Sequence, residues 1–127
     1  MKMEVWDAIT NYRTDLNLGG VEKINGWVSE NFIGYFGYYN DVDYRVYHGQ
    51  EYRDDNKQTF LGYKGKNATF EYNDLTYNLR KNDEFILTAT IDFYLEGQKQ
   101  TTVLTVEVFK KETIGWKLYR QHMEHYG

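Results

Sequence analysis

The chain has 127 residues, a net charge of −4 with acidic and basic residues interspersed, and 18% aromatic residues, 13 of them tyrosine. This length predicts a single domain, 1–127, large enough for a hydrophobic core, and the charge pattern lacks the basic stripe typical of nucleic-acid-binding proteins. Cysteine is absent, which excludes a thiolate nucleophile, a disulfide and a cysteine-ligated zinc site.

The start of the chain, MKMEVWDAITNYR, lacks the apolar core of a secretion signal. No run approaches the roughly 18 consecutive apolar residues that indicate a membrane-spanning helix. We therefore expect a cytoplasmic protein with neither a membrane nor a nucleic acid as its partner.

Hydrophobic periodicity predicts three helices and two short strands in the first half of the chain and four long strands in the second. Apolar side chains recur at helical spacing over residues 4–16, and the glycines of the following Asn-Leu-Gly-Gly predict the end of that helix. The other predicted elements are a short helix at 21–28, strands at 32–39 and 44–48, a third helix at 50–61, and long strands at 68–79, 84–95, 101–110 and 116–126. Helices followed by antiparallel strands with tight turns predict an α+β domain, with the helices on one face of a curled sheet.

The last predicted strand carries the first candidate site. Arg120, His122 and Glu124 alternate along it after Trp116 and Leu118, so strict alternation places all five on one face. That face predicts an apolar cavity with a polar floor, the usual form of a ligand pocket. His122 is a candidate general acid or base, and Arg120 a candidate partner for an anionic group. A histidine that only contacts a ligand, or that lies in a dimer contact, is the alternative.

Residues 94–122, YLEGQKQTTVLTVEVFKKETIGWKLYRQH, combine a hydrophobic strand, a short charged turn, a tryptophan and an alternating strand that reaches a histidine. The segment resembles the paired final strands of the nuclear transport factor 2-like superfamily, which includes SnoaL-like polyketide cyclases, ketosteroid isomerase and the association domain of calcium/calmodulin-dependent kinase II. Asn-Leu-Gly-Gly after the first helix is similar to the family's N-x-G-D corner, with Gly20 in place of the common aspartate. The resemblance implies a cystatin-like, cone-shaped α+β fold, in which a curved antiparallel sheet wraps around N-terminal helices.

Glu107 is the second candidate, because it interrupts the apolar strand LTVEVF. A desolvated carboxyl group has a raised pKa and can donate or accept a proton. The resemblance implies that Glu107 lies where ketosteroid isomerases place a protonated acid that stabilises an oxyanion. A structural pair with Arg120 on the neighbouring strand is the alternative.

Tyr12 is the third candidate, since the resemblance aligns it with the isomerase tyrosine that donates to the same oxyanion. A tyrosine at helical spacing with apolar residues also fits a purely structural place in the core. The isomerase base, an aspartate, would fall near Phe36, where the sequence has no acid. This departure argues against proton abstraction of the isomerase type.

Thr90 and Asp92 are further candidates, because Thr88, Thr90 and Asp92 share one face of the predicted strand 84–95. The resemblance places Thr90 at a cavity-lining position, so Thr90 and Asp92 are predicted ligand-binding residues together with Arg120 and Trp116. The opposite assignment, a solvated outer face, stays open. His122 and His125 are three apart and point to opposite faces of a strand, so we expect no metal site, and the resemblance implies no cofactor.

These patterns predict a protein that binds a small, largely apolar molecule, and the resemblance implies that such a protein can catalyse cofactor-free isomerisation, dehydration or cyclisation. The aromatic cluster in residues 35–47 is predicted to form a cavity wall and a subunit interface, because proteins of this kind are often homodimers. The alternative is a non-catalytic binding or homo-oligomerisation module.

Overall fold

The computed structural model describes residues 2–39 and 41–126. Its elements are α1 (Lys2–Thr14), a π-helical segment (Asp15–Gly19), α2 (Gly20–Gly26), β1 (Val28–Tyr38), β2 (Tyr44–His48), α3 (Gly49–Gly62), β3 (Ala68–Arg80), β4 (Glu84–Leu95), β5 (Gln98–Glu112) and β6 (Gly115–His125). The helices pack on one face of a six-stranded sheet, which confirms the predicted α+β class.

The strands form one mixed sheet in the order β2-β1-β6-β5-β4-β3. The last four strands make the predicted antiparallel meander. In contrast, β1 lies parallel to β6, with Tyr35 opposite His122, and β2 pairs with the outer edge of β1. The β1–β6 pairing brings the first and last strands together in the middle of the sheet.

Strand β4 has the bounds that its alternation predicts, and it defines the two faces of the sheet. Phe85, Leu87, Ala89 and Ile91 are buried beneath the helices on what we call the inner face. The threonines and the aspartate between them lie on the opposite, outer face. Partners in neighbouring strands point to the same side, so the register assigns a face to the paired residues of the other strands.

The corner after α1 differs from the predicted helix end. The helix widens into the π-helical segment and continues as α2, which begins at Gly20 with a φ of 78° that favours glycine. Asn17 fixes this corner to the sheet: its Nδ2 donates to the carbonyl oxygens of Arg13 (3.0 Å) and Phe70 (3.2 Å), and its Oδ1 accepts from the Phe70 N–H (2.7 Å). The corner thereby holds α1 against β3.

Aromatic rings dominate the core between α1 and the sheet. Phe109 stacks on Phe85 with ring centroids 4.8 Å apart and presents its ring to the edge of Tyr12 at 5.1 Å. Trp27 completes this group, 5.5 Å from Tyr12. Among the described residues, no helix has both the length and the apolar character needed to cross a membrane.

Candidate functional site

A chamber of about 130 Å³ lies between α1, α3 and the inner face of the sheet. Most of its lining is apolar or aromatic, and the polar exceptions are tyrosine hydroxyls and two small side chains of α3. The lining residues are Tyr12, Leu16, Ile24, Tyr52, Asn56, Thr59, Phe60, Tyr63, Phe70, Tyr72, Ile91 and Met123. Its composition is that of a small-molecule pocket, with few polar groups among apolar walls.

A larger groove of about 730 Å³ adjoins the chamber. Both cavities are lined by Tyr52, Asn56, Thr59 and Met123, so the groove lies at one end of the chamber. The rim of the groove carries charged and aromatic side chains from the β1–β2 hairpin, α3 and the end of β6: Tyr38, Asp41, Asp43, Tyr44, Arg45, Tyr47, Asp55 and His125.

Glu107 is fully buried, at 0% exposure, beneath the chamber and in the middle of the inner face. Three side chains donate hydrogen bonds to its Oε2: the Tyr72 hydroxyl at 2.9 Å, the Thr105 hydroxyl at 3.0 Å and the Gln121 Nε2 at 3.0 Å. Its Oε1 lies 3.3 Å from the Tyr72 hydroxyl. The carboxylate is thus satisfied by neutral donors.

Gln121 links this group to α3. It lies directly opposite Glu107 in the β5–β6 register, and its Oε1 accepts a hydrogen bond from the Tyr52 hydroxyl at 2.9 Å. A continuous chain of hydrogen bonds therefore runs from α3 through Gln121 to Glu107, with Tyr72 joining from β3.

Burial raises the pKa values of Glu107 and of the three tyrosines around it. Desolvation raises the pKa of Glu107 above its usual 4.5, although the hydrogen bonds from Gln121, Tyr72 and Thr105 oppose the shift. Burial, followed by the nearby Glu107 charge, raises the pKa of Tyr52 and holds the pKa values of Tyr12 and Tyr72 well above 10. The three tyrosines therefore stay protonated at neutral pH.

A β-bulge in β6 reverses the predicted face of its second half. Leu118 is the partner of Phe109, but Arg120 is the partner of Val108, so Tyr119 is the extra residue. Leu118 and Gln121 consequently both face inward. Arg120, His122 and Glu124 face outward, and the prediction that they share one face with Trp116 and Leu118 is wrong.

The outward side chains of β6 make their contacts away from the chamber. The Arg120 Nη1 donates to the carbonyl oxygens of Asn31 and Tyr119, both at 2.8 Å, and its guanidinium lies 4.0 Å from the Tyr119 ring centroid. His122 lies among aromatic rings of β1 and β2, 6.3 Å from the Tyr35 ring and 5.6 Å from the Tyr44 ring. A ligand-binding role for Arg120 and a catalytic role for His122 stay predictions, and neither residue lines the chamber or the groove.

Thr90 and Asp92 also lie on the outer face, which decides between the two assignments left open by the sequence. The Asp92 carboxylate accepts hydrogen bonds from Thr102 (2.7 Å) and Asn73 (3.1 Å) and pairs with Lys99 (3.2 Å). The Thr102 hydrogen bond is the main cause of the lowered pKa of Asp92.

Trp116 points to neither cavity. Its Nε1 donates to the Glu4 Oε1 at 3.2 Å, and its ring lines a separate groove of about 740 Å³ between α1 and the β5–β6 turn. Of the predicted site residues, only Tyr12 lines the chamber, and Glu107 lies directly behind it.

Sequence reasoning missed Tyr52, Tyr72, Gln121 and His125. The alternation in β3 could have placed Tyr72 beside Phe70 on the inner face, whereas the bulge concealed Gln121. The prediction that His122 and His125 face opposite sides is confirmed, and it is His125 that lines the groove. Within residues 2–39 and 41–126, no three side chains are grouped so as to hold a metal ion.

No protein-family model matches the chain, and no curated protein does either. Solved structures do match it. A nuclear transport factor 2-like protein of unknown function from Pseudomonas putida has a TM-score of 0.75 at 12% identity, over 96% of this chain and 84% of that chain. A candidate dehydratase of the nuclear transport factor 2-like family from Streptomyces avermitilis has a TM-score of 0.74 at 15% identity, over 98% and 95%.

A third similar structure is a candidate calcium/calmodulin-dependent protein kinase II association domain from Xanthomonas campestris. Its TM-score is 0.70 at 16% identity, over 96% of this chain and 85% of that chain. The TM-scores establish a common fold, whereas identities this low leave the activity open. The chain therefore has the cystatin-like fold of nuclear transport factor 2-like proteins, as the resemblance of residues 94–122 predicted.

Proposed function

We propose that this protein binds a small molecule whose single ring enters the chamber while the rest of the molecule lies in the groove. The observation that carries the proposal is the chamber, whose volume is about 130 Å³. An engineered apolar cavity of about 150 Å³ is known to take up benzene. One aromatic ring therefore matches the chamber in size and polarity.

The proposal is one of binding, and it does not extend to catalysis. Glu107 has the raised pKa expected of an acid–base group, but the Tyr72 hydroxyl and the Gln121 amide donate hydrogen bonds to its Oε2 and separate it from the chamber. A general acid or base must come within hydrogen-bond reach of the reacting group. A ligand in the chamber meets the tyrosines first.

Toluene is the probe that tests chamber binding, since it matches the chamber in size and has no polar group. We expect millimolar or tighter binding that shifts the methyl resonances of Ile91 and Met123, two residues of the lining. Ile91→Phe extends a ring into the chamber and should weaken toluene binding at least about fivefold, because overfilling a packed site costs about 1–3 kcal/mol.

Ile86→Phe is the matched control, because Ile86 lies on the same strand but opposite Val108 on the outer face. This variant should retain wild-type affinity for toluene. Equal affinity of the two variants, or a wild-type protein in which toluene leaves both methyl resonances unchanged, would contradict the proposed function.

We infer, as a second proposal, that the protein forms a homodimer through the outer face of the sheet. A row of side chains crosses this face from β2 to β4: Val46, Tyr35, His122, Val106 and Thr88. Tyr35 and Val46 are 42% and 45% exposed, and apolar groups at this position favour contact with a second copy. The Xanthomonas structure named as an association domain supports the inference.

Sedimentation velocity tests the dimer. Tyr35→Glu should convert a dimeric wild-type protein to monomer, because it would bury an unpaired charge in the interface. Leu61→Glu is the control, since Leu61 is an exposed apolar residue of α3, on the helical side of the sheet. A monomeric wild-type protein at 0.1 mM, or two variants with the same sedimentation coefficient, would rule the interface out.

A further inference from the structure

We propose that the molecule bound in the chamber presents a hydrogen-bond donor to Tyr52 and Tyr72, as a phenol, an aromatic amine or an ammonium group does, and that an oxyanion or a bare carbonyl group is disfavoured beside these two hydroxyls. This inference rests on the proposed binding function and names the ligand class. It follows from the direction of the hydrogen bonds behind the chamber wall.

The donor-to-acceptor direction of these hydrogen bonds can be followed outward from Glu107. The nitrogen of the Gln121 amide faces the Glu107 Oε2 at 3.0 Å, and a carboxylate oxygen can only accept that hydrogen bond. The amide oxygen then faces the opposite way, toward the Tyr52 hydroxyl at 2.9 Å. A carbonyl oxygen has no proton to give, and Tyr52 is therefore the donor of that bond.

The same argument fixes Tyr72. Its hydroxyl lies 2.9 Å from one oxygen of Glu107 and 3.3 Å from the other, and it must donate to them. A phenolic hydroxyl has a single proton but can also accept. Tyr52 and Tyr72 have both directed their protons away from the chamber, and their oxygens offer only lone pairs to a ligand.

Electrostatics acts in the same direction. In the described part of the chain, no lysine, arginine or histidine forms an ion pair with Glu107. Burial is the larger cause of the raised pKa values of Tyr12, Tyr52 and Tyr72, and the Glu107 charge adds to it, because two nearby negative charges repel each other. In a buried site this repulsion is screened far less than in water.

An oxyanion hole needs the reverse arrangement, with free donors aimed at the ligand. Tyr12 adjoins Gln121 and Tyr72 and is the remaining hydroxyl of the group. The expectation that Tyr12 and Glu107 together stabilise an oxyanion conflicts with a Glu107 whose surroundings all donate to it. The hydrogen-bond pattern assigns Glu107 a positioning role, in which it orients the hydroxyls of the chamber.

Three one-ring probes of similar size test the direction at pH 8: phenol, which donates, pyridine N-oxide, which only accepts, and toluene, which does neither. Their dissociation constants are measured from the methyl resonances of Ile91 and Met123, in the wild-type protein and in Tyr52→Phe. Toluene serves as the reference for changes in chamber shape. Tyr72→Phe is the second variant and tests the same prediction at the other hydroxyl.

In either variant, the affinity of phenol relative to toluene should fall about fivefold, because one accepting oxygen is lost. The affinity of pyridine N-oxide relative to toluene should stay constant or rise. A fall in the relative affinity of pyridine N-oxide, or an unchanged relative affinity of phenol in both variants, would overturn the donor inference and leave chamber binding intact. If toluene fails to bind the wild-type protein, the proposed function fails first, and the ligand class fails with it.

Discussion

Glu107→Leu is expected to lower the free energy of unfolding by about 3 kcal/mol, since each buried donor that loses its acceptor costs about 1–3 kcal/mol and part of the loss is recovered by rearrangement. The donors concerned are the hydroxyls of Tyr72 and Thr105 and the amide of Gln121, all directed at one carboxylate oxygen. Leucine is similar in size but offers no acceptor. Urea denaturation at pH 7 measures the change.

Glu107→Gln is the matched variant, and it should remain within about 1 kcal/mol of the wild type. The three shortest hydrogen bonds share Oε2, so a glutamine can place its amide oxygen there and its nitrogen at the less engaged Oε1. Equal destabilisation by the two substitutions would contradict this account, because it would locate the importance of Glu107 in its charge.

The pH dependence of stability separates charge from hydrogen bonding. The pKa of Glu107 is raised above 4.5 in the folded protein, so the unfolded chain loses this proton first as the pH rises. The wild type therefore loses stability relative to Glu107→Gln from pH 4.5 up to the folded-state pKa, by at most about 1.4 kcal/mol per pH unit, and the difference is constant above it. A difference in the opposite direction would mean that Glu107 is stabilised as an anion.

Phe109→Ala is expected to reduce the free energy of unfolding by about 4 kcal/mol, since truncating a buried phenylalanine costs about 3–5 kcal/mol. Phe109 is 0% exposed and contacts the rings of Tyr12, Trp27 and Phe85. The substitution also removes the ring that packs against Tyr12, which lines the chamber. Thermal denaturation should show a correspondingly lower Tm.

Phe109→Leu is the control for Phe109→Ala, because it fills more of the space and should cost less than half as much. A loss below about 1 kcal/mol for Phe109→Ala would mean that the helices collapse onto the sheet without this ring, contrary to a tightly packed core. Toluene binding should be altered in Phe109→Ala, since Tyr12 lines the chamber beside it.

The sequence alone determined the order of the helices and strands and the fold class. Strand β4 has the bounds 84–95 that its alternation predicts, because every second side chain packs under the helices. The α+β order follows from local signals, namely helical spacing over residues 4–16 and period-two spacing in the long strands after residue 68, whereas the cystatin-like fold was implied by the resemblance of residues 94–122. Hydrophobic period is a property of neighbouring residues, so it can be read without knowing the tertiary contacts.

Only the tertiary structure decided which face each polar residue of the candidate site occupies. One extra residue at Tyr119 moves Gln121 inward and His122 outward, and nothing in the composition of β6 marks that bulge. The parallel pairing of β1 with β6 and the position of Tyr52 on α3 join segments more than sixty residues apart in the chain. The site is assembled from such distant contacts, because the side chains that donate to Glu107 and Gln121 come from separate strands and from α3.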